Sequence, residues 1–240
     1  MTPQRFARIR AVLDARQPDL TVVMENVHKP HNLAAIARTC DAVGVGTIHA
    51  VAPHGSPLAL GRHASSGSAR WVETRTHTDL AAAVRAVRGR DMQVIAVDVM
   101  PGARDFREVD YTAAVALLVG AELDGLSVEA RAIADVSVRI PMAGMVESLN
   151  VSVATALVLF EAQRQRHAAG MYRKCRLDDD TRARMLFEWA HPEVAAWCRR
   201  QGRTYPALSD DGDIAERLTG KTMEPVSGGL NGGRPRSEGD

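Results

Sequence analysis

Aromatic side chains are scarce in this chain. Three Trp, three Tyr and four Phe make up 4% of 240 residues, so a broad base-stacking platform for single-stranded nucleic acid is not expected. Cysteine is scarcer still: Cys40, Cys175 and Cys198 form an odd, widely spaced set. Such a set supplies neither a disulfide framework nor a zinc-ligand spacing, and it fits a reduced, cytoplasmic protein. No run of about eighteen apolar residues occurs, which excludes an ordinary transmembrane helix. The opening M-T-P-Q-R-F-A-R lacks the apolar centre of a secretory signal, so export is not expected. There is no internal repeat, and no G-x-G-x-x-G follows the first strand-like segment, which counts against an ordinary dinucleotide-binding domain.

What is present is enough to fold. At 240 residues and 45% hydrophobic, the chain fits one good-sized domain with appendages. Short apolar runs at 20–27, 47–52, 93–99, 115–119 and 136–140 read as buried strands. Helical spacing falls at 3–17, 33–43, 79–87, 128–134 and 149–168. Strands alternating with helices predict an α/β protein with a parallel sheet and flanking helices. The Gly/Pro/Ser-rich segment 53–67 is long enough for a functional loop. A second helix-rich region spans 178–201. Beyond Ser209 the chain turns acidic, then Gly/Pro-rich, and reads as a flexible tail. The expected layout is therefore an N-terminal helical extension (1–18), a main domain (19–170), a C-terminal helical extension (171–208) and the tail (209–240).

A net charge of +1 conceals an asymmetry. Arg5, Arg8, Arg10 and Arg16 face only Asp14 near the start, and Arg164, Arg166, Arg173, Lys174 and Arg176 follow one another with no acid between them. Such flanks suit a polyanion, although solvated arginine-rich helix faces look the same in sequence.

Three segments carry the chemistry. In H-N-L-A-A-I-A-R-T-C-D-A-V-G (31–44), Asn32 is suited to cap a helix and Gly44 to stop it. Leu33, Ile36, Ala37, Cys40 and Val43 share one face, and Arg38 projects away from it. In L-L-V-G-A-E-L-D-G-L (117–126), an apolar strand runs into a Gly-x-Glu-x-x-Gly loop. In I-P-M-A-G-M-V-E-S-L-N (140–150), a glycine loop delivers Ser148 and Asn150 to the start of a long apolar helix, where unpaired N–H groups face a ligand. Either residue could equally be a plain helix cap.

In this order the three segments resemble the signature motifs of the SpoU (TrmH-type) RNA 2′-O-methyltransferases of the SPOUT superfamily, over roughly residues 18–172. R-Q-P-D-L-T-V (16–22) and E-A-Q-R-Q-R (161–166) are similar to the branch that methylates tRNA guanosine. The resemblance implies a C-terminal deep trefoil knot, a rare exception to the rule that chains do not thread their own loops. It also implies a homodimer with active sites at the subunit interface, and S-adenosylmethionine bent between the segments 115–125 and 140–150. The implied reaction is 2′-O-methylation of guanosine 18 in the tRNA D-loop. A ribosomal RNA methyltransferase of the same family is the nearest rival. A non-catalytic RNA-binding module is a further one, which loss of Arg38, Asn32, Ser148 or Asn150 would have favoured.

By the same resemblance Arg38, Asn32, Glu122, Ser148 and Asn150 are catalytic. Val97, Gly120, Ile140, Met142, Ser148, Leu149 and Asn150 hold the cofactor, and Arg8, His31, Arg164 and Arg166 contact RNA. Family proposals give Arg38 both phosphate binding and the role of base. A guanidinium does not deprotonate in proteins, so a charged clamp that stabilises the developing alkoxide needs no shift. No metal is expected: His28 and His31 are separated by Pro30, and no third ligand lies close by. Glu147 and the pair Leu123-Asp124 depart from the usual family pattern without touching a motif-defining position.

Overall fold

The computed structural model describes residues 1–51, 71–122, 124–218 and 223–225. The segment 53–67 and the glycine-rich tail lie outside the described residues. The chain divides into two compact units, Asp14–Leu177 and a second built from Met1–Leu13 with Asp178–Asp240.

Helix α1 (Pro3–Asp14) precedes the larger unit's first strand, β1 (Leu20–Glu25). There follow α2 (Pro30–Ala42), β2 (Thr47–Val51), β3 (Glu73–His77), α3 (Leu80–Arg88) and β4 (Gln93–Val97). After them come β5 (Arg104–Asp105), β6 (Val115–Val119), α4 (Val128–Ile133), β7 (Val136–Arg139) and α5 (Val151–Ala168). The strands form one seven-stranded sheet in the order β3-β2-β1-β6-β4-β7-β5, and every pairing is parallel. The expected α/β parallel sheet is therefore present.

Strand residues alternate between the two faces. Val22, Met24, Ile95 and Leu117 pack with Ile36 and Cys40 of α2 and Val158 and Leu159 of α5. Val23, Val94 and Leu118 pack with Val84 and Val87 of α3 and Ala130 of α4. Central strands covered on both faces are nearly continuous apolar runs, as V-A-L-L-V is throughout and L-T-V-V-M-E is apart from Thr21 and Glu25.

The helix ends refine the sequence reading. Pro30 opens α2 and Lys29 is its N-cap residue, with no side-chain cap bond. Asn32 therefore does not cap α2 but lies buried in its first turn. Proline is suited to the first helical position because it has no N–H to leave unpaired. At the other end Gly44 adopts φ +87°, and a Cβ there would meet the Ala15 carbonyl oxygen at 2.7 Å. Only glycine fits both constraints. Helix α5 begins at Val151 with Asn150 as N-cap, its side chain accepting from the Ser152 N–H. The expected start at Leu149 and the capping option for Ser148 are thus replaced by Asn150.

Strand β3 had no counterpart in the sequence reading. E-T-R-T-H lies at the sheet edge and is largely solvent-facing, so it carries no apolar pattern. In the smaller unit, Pro192 divides the 178–201 region into α6 (Asp179–Ala190) and α7 (Pro192–Arg200). A two-stranded antiparallel ribbon follows, β8 (Glu216–Leu218) with β9 (Met223–Pro225). Phe187 stacks on Tyr205 at 4.7 Å between ring centroids.

Candidate active site

In a parallel α/β sheet, ligands bind beyond the carboxyl ends of the strands, where loops diverge and backbone groups are unpaired. A cleft lies there, beyond β4, β6 and β7. Val97, Gly120, Ile140, Met142, Ser148 and Leu149 line it, together with Asp98, Val119, Glu122, Arg139, Glu147 and Val151. The lining combines aliphatic side chains with carboxylates, a guanidinium and a hydroxyl. The loop 120–125 folds back on itself, with the Gly125 N–H donating to the Ala121 carbonyl at 3.0 Å. A Cβ on Gly120 would overlap the backbone of Gly125 and Leu126. The glycine is thus required by its own loop before any ligand is considered.

Asn150 does not line this cleft. It joins the neighbouring pocket's residues instead: its Nδ2 donates to Asn32 Oδ1 at 3.2 Å and also to Glu122 Oε1. Its Oδ1 accepts from the Ser152 N–H at 2.9 Å and from Ser152 Oγ. One amide therefore fastens α5, α2 and the Gly-x-Glu-x-x-Gly loop together. A buried Asn32 needs such a partner, because an unpaired amide costs about 1–3 kcal/mol.

Lys29, which the sequence reading did not single out, forms an ion pair with Glu122. Hydrogen bonding from Lys29, then from Asn32, holds the Glu122 carboxyl below its ordinary range, and the charge of nearby His31 adds to this. Asp98 was also missed. It lines the cleft and accepts from Arg131 Nε at 2.6 Å.

Arg38 is exposed on α2, six residues beyond Asn32, or about 9 Å along the helix axis. It lines neither the cleft nor the Asn32 pocket. His31 is exposed at the start of the same helix. Arg8 is exposed on α1. Arg164 is exposed but paired with Glu161 through two bonds of 2.7 and 2.8 Å, so acid is not absent around it.

The RNA assignment of Arg166 is corrected by its burial. Its side chain is 0% exposed. It donates to the Tyr111 and Ala113 carbonyls, to Gln17 Oε1, and to both a side-chain and the backbone oxygen of Asp19. Arg176 binds the same carboxylate at 2.7 and 2.8 Å. Desolvation alone would raise the Asp19 pKa, but bonds from Arg176 and Arg166 outweigh it and hold the group below its usual range. A guanidinium whose donors are all engaged inside the fold cannot reach a phosphate. Among the described residues no three His, Cys, Asp or Glu side chains converge as metal ligands.

Comparison with known proteins fits this geometry. The tRNA (guanosine(18)-2′-O)-methyltransferase of Escherichia coli K12 is 49% identical over 216 residues, covering 89% of this chain and 94% of the relative. The crystal structure of the Aquifex aeolicus TrmH/SpoU tRNA modifying enzyme superposes with a TM-score of 0.74 at 41% identity, over 80% of this chain and 97% of that one. An AdoMet-bound rRNA methyltransferase from Sinorhizobium meliloti aligns at 34% identity and a TM-score of 0.56, over 65% of this chain and 59% of that one. The C-terminal model of the SpoU rRNA methylases matches residues 164–217. The model of the SpoU rRNA methylase family itself matches residues 19–160, and the chain belongs to that family.

Proposed function

We propose that the protein transfers a methyl group from S-adenosylmethionine to the 2′-hydroxyl of guanosine 18 in tRNA. The observation that carries this reading is the Asn32–Glu122–Asn150 junction, set beside a cleft whose wall includes Ser148 and Leu149. The 49% identity to an enzyme named for that reaction favours tRNA over ribosomal RNA.

The cleft fits the cofactor's chemistry. Val97, Ile140, Met142 and Leu149 offer an apolar slot for a purine, while Ser148 and the cleft's charged groups suit an amino acid end. When bound, S-adenosylmethionine supplies an activated methyl on a sulfonium. The protein's part is to hold the ribose in line and stabilise charge on its 2′-oxygen. Arg38, permanently charged, clamps the adjacent phosphate and faces the developing alkoxide. Asn32 and Asn150 orient the groups around it, and Glu122 fixes both amides. No step in this scheme calls for a metal.

Arg38 lies outside the cleft of its own chain, which supports a homodimer whose interface completes the site. Helix α5 leaves Val153, Leu157 and Phe160 between 42% and 50% exposed, one apolar stripe at helical spacing and a suitable seam for a second copy. We read residues 19–170 as the methyltransferase domain with a trefoil knot in its C-terminal part, 1–18 and 171–208 as extensions that grip tRNA, and 209–240 as a tail. Arg8, His31 and Arg164 contribute phosphate contacts. A tRNA substrate implies action in the cytoplasm. Incubation of transcript tRNA with protein and donor, followed by nucleoside mass spectrometry, tests the reading: 2′-O-methylguanosine at position 18 supports it, and unmodified tRNA contradicts it.

A further inference from the structure

Lys29 stands at an unusual place. Its backbone is the N-cap of α2, fixed by Pro30 on one side and by Asn32 and Leu33 N–H groups donating to its carbonyl at 3.0 and 3.2 Å. Its side chain leaves the helix start, crosses to the 120–125 loop and meets Glu122 Oε2. The carboxylate's other oxygen, Oε1, accepts from Asn150. Glu122 thus has one oxygen on a cation and the other on the amide that binds Asn32. The lysine side chain is 44% exposed and the glutamate 18%. A solvent-reaching lysine gains little from an isolated surface pair, so this contact's consequence lies in what it does to Glu122.

We propose that Lys29 is a positioning residue for methyl transfer: its ammonium holds the Glu122 carboxylate in the orientation that aligns the Asn150 and Asn32 amides. This rests on the reading of those three residues as part of the active site. Without Lys29, one of the two contacts that fix the Glu122 carboxylate is gone, and the side chain is free to turn away from Asn150. Protonation has the same effect, because a neutral carboxyl accepts more weakly and would offer a donor of its own. The other charged or titratable groups around Glu122 are His28 and Asp124 from the same pocket, and nearby His31. On the cleft side stand Asp98, Arg139 and Glu147. None of them is bonded to Glu122 as Lys29 is.

The test uses the full-length protein with transcript tRNA and donor, comparing Lys29→Met, Lys29→Arg and Glu122→Gln across pH. Lys29→Met is expected to lower kcat roughly tenfold, in line with the loss of one charge-assisted hydrogen bond. Its donor affinity should stay near wild type, and the acid limb of its kcat profile should move to higher pH. Lys29→Arg should restore most of the rate and the wild-type limb. An unmoved acid limb with only a raised KM for tRNA would overturn the proposal, since Lys29 would then be a phosphate contact. A fully active Glu122→Gln would overturn the site reading itself, and is distinguishable because that variant leaves Lys29 in place.

Discussion

At the residue scale, sequence neighbours predict a side chain's partners poorly when those partners are distant along the chain. Arg166 sits in a basic cluster and was expected to meet RNA, yet its partners are Gln17, Asp19, Tyr111 and Ala113, between 53 and 149 residues away. Nothing in E-A-Q-R-Q-R announces them. Replacing Arg166 with Ala leaves the Asp19 carboxylate to Arg176 alone and removes the donors to the Tyr111 and Ala113 carbonyls, and a buried acceptor left unpaired costs about 1–3 kcal/mol. Urea unfolding of Arg166→Ala should show a loss of that order, and an undiminished midpoint would place the side chain outside the fold. Lys29 was missed for the same reason, its partner Glu122 lying 93 residues away. Arg38→Ala is expected to reduce methyl transfer by at least about 100-fold with donor binding nearly intact, read by calorimetry beside a methylation assay. Substantial residual activity would remove Arg38 from the site.

At the scale of elements, buried apolar runs were legible because their causes are local, whereas the N-cap expected at Asn32 falls on Lys29. Strands β1, β4, β6 and β7 fall within the apolar runs, and Asp79 caps α3 by accepting from the Ala82 N–H at 2.7 Å. Edge strand β3 was not legible, because half-exposed E-T-R-T-H needs no apolar side chains. It carries a further consequence. His77 on β3 meets buried His49 on β2, with Nδ1 and Nε2 2.8 Å apart. Burial, followed by the charges of His77, Arg75 and Arg90, lowers the His49 pKa to about 4, while Glu73 opposes the shift. A depressed histidine pKa means that the unfolded chain binds the proton more readily. Its contribution is therefore complete above about pH 6.5 and is lost as pH falls toward 4. Thermal melts should show stability declining through that window by up to about 3 kcal/mol from this group, with His49→Gln flattening the decline. An identical pH profile in the variant would contradict this account.

For the whole molecule, the order of strands and the pairing of helices across the sheet bring three distant motifs to one end of it. The fold class and the cleft-lining residues followed from pattern and resemblance. The junction of Asn32, Glu122 and Asn150 could not, because hydrogen bonds between loops leave no periodic trace. The proposed dimer has a direct consequence: Leu157→Asp places a charge in the exposed stripe of α5, and should both shift sedimentation toward monomer and abolish methyl transfer. A stable, fully active monomer would contradict it. Guanosine 2′-O-methylation remains the central claim. Nucleoside mass spectrometry of tRNA incubated with the protein and S-adenosylmethionine, alongside a tRNA with adenosine at position 18, tests it most directly. The account predicts 2′-O-methylguanosine in the first tRNA and no 2′-O-methylation at that position in the second. Methylation at another site, or none in either tRNA, would contradict it.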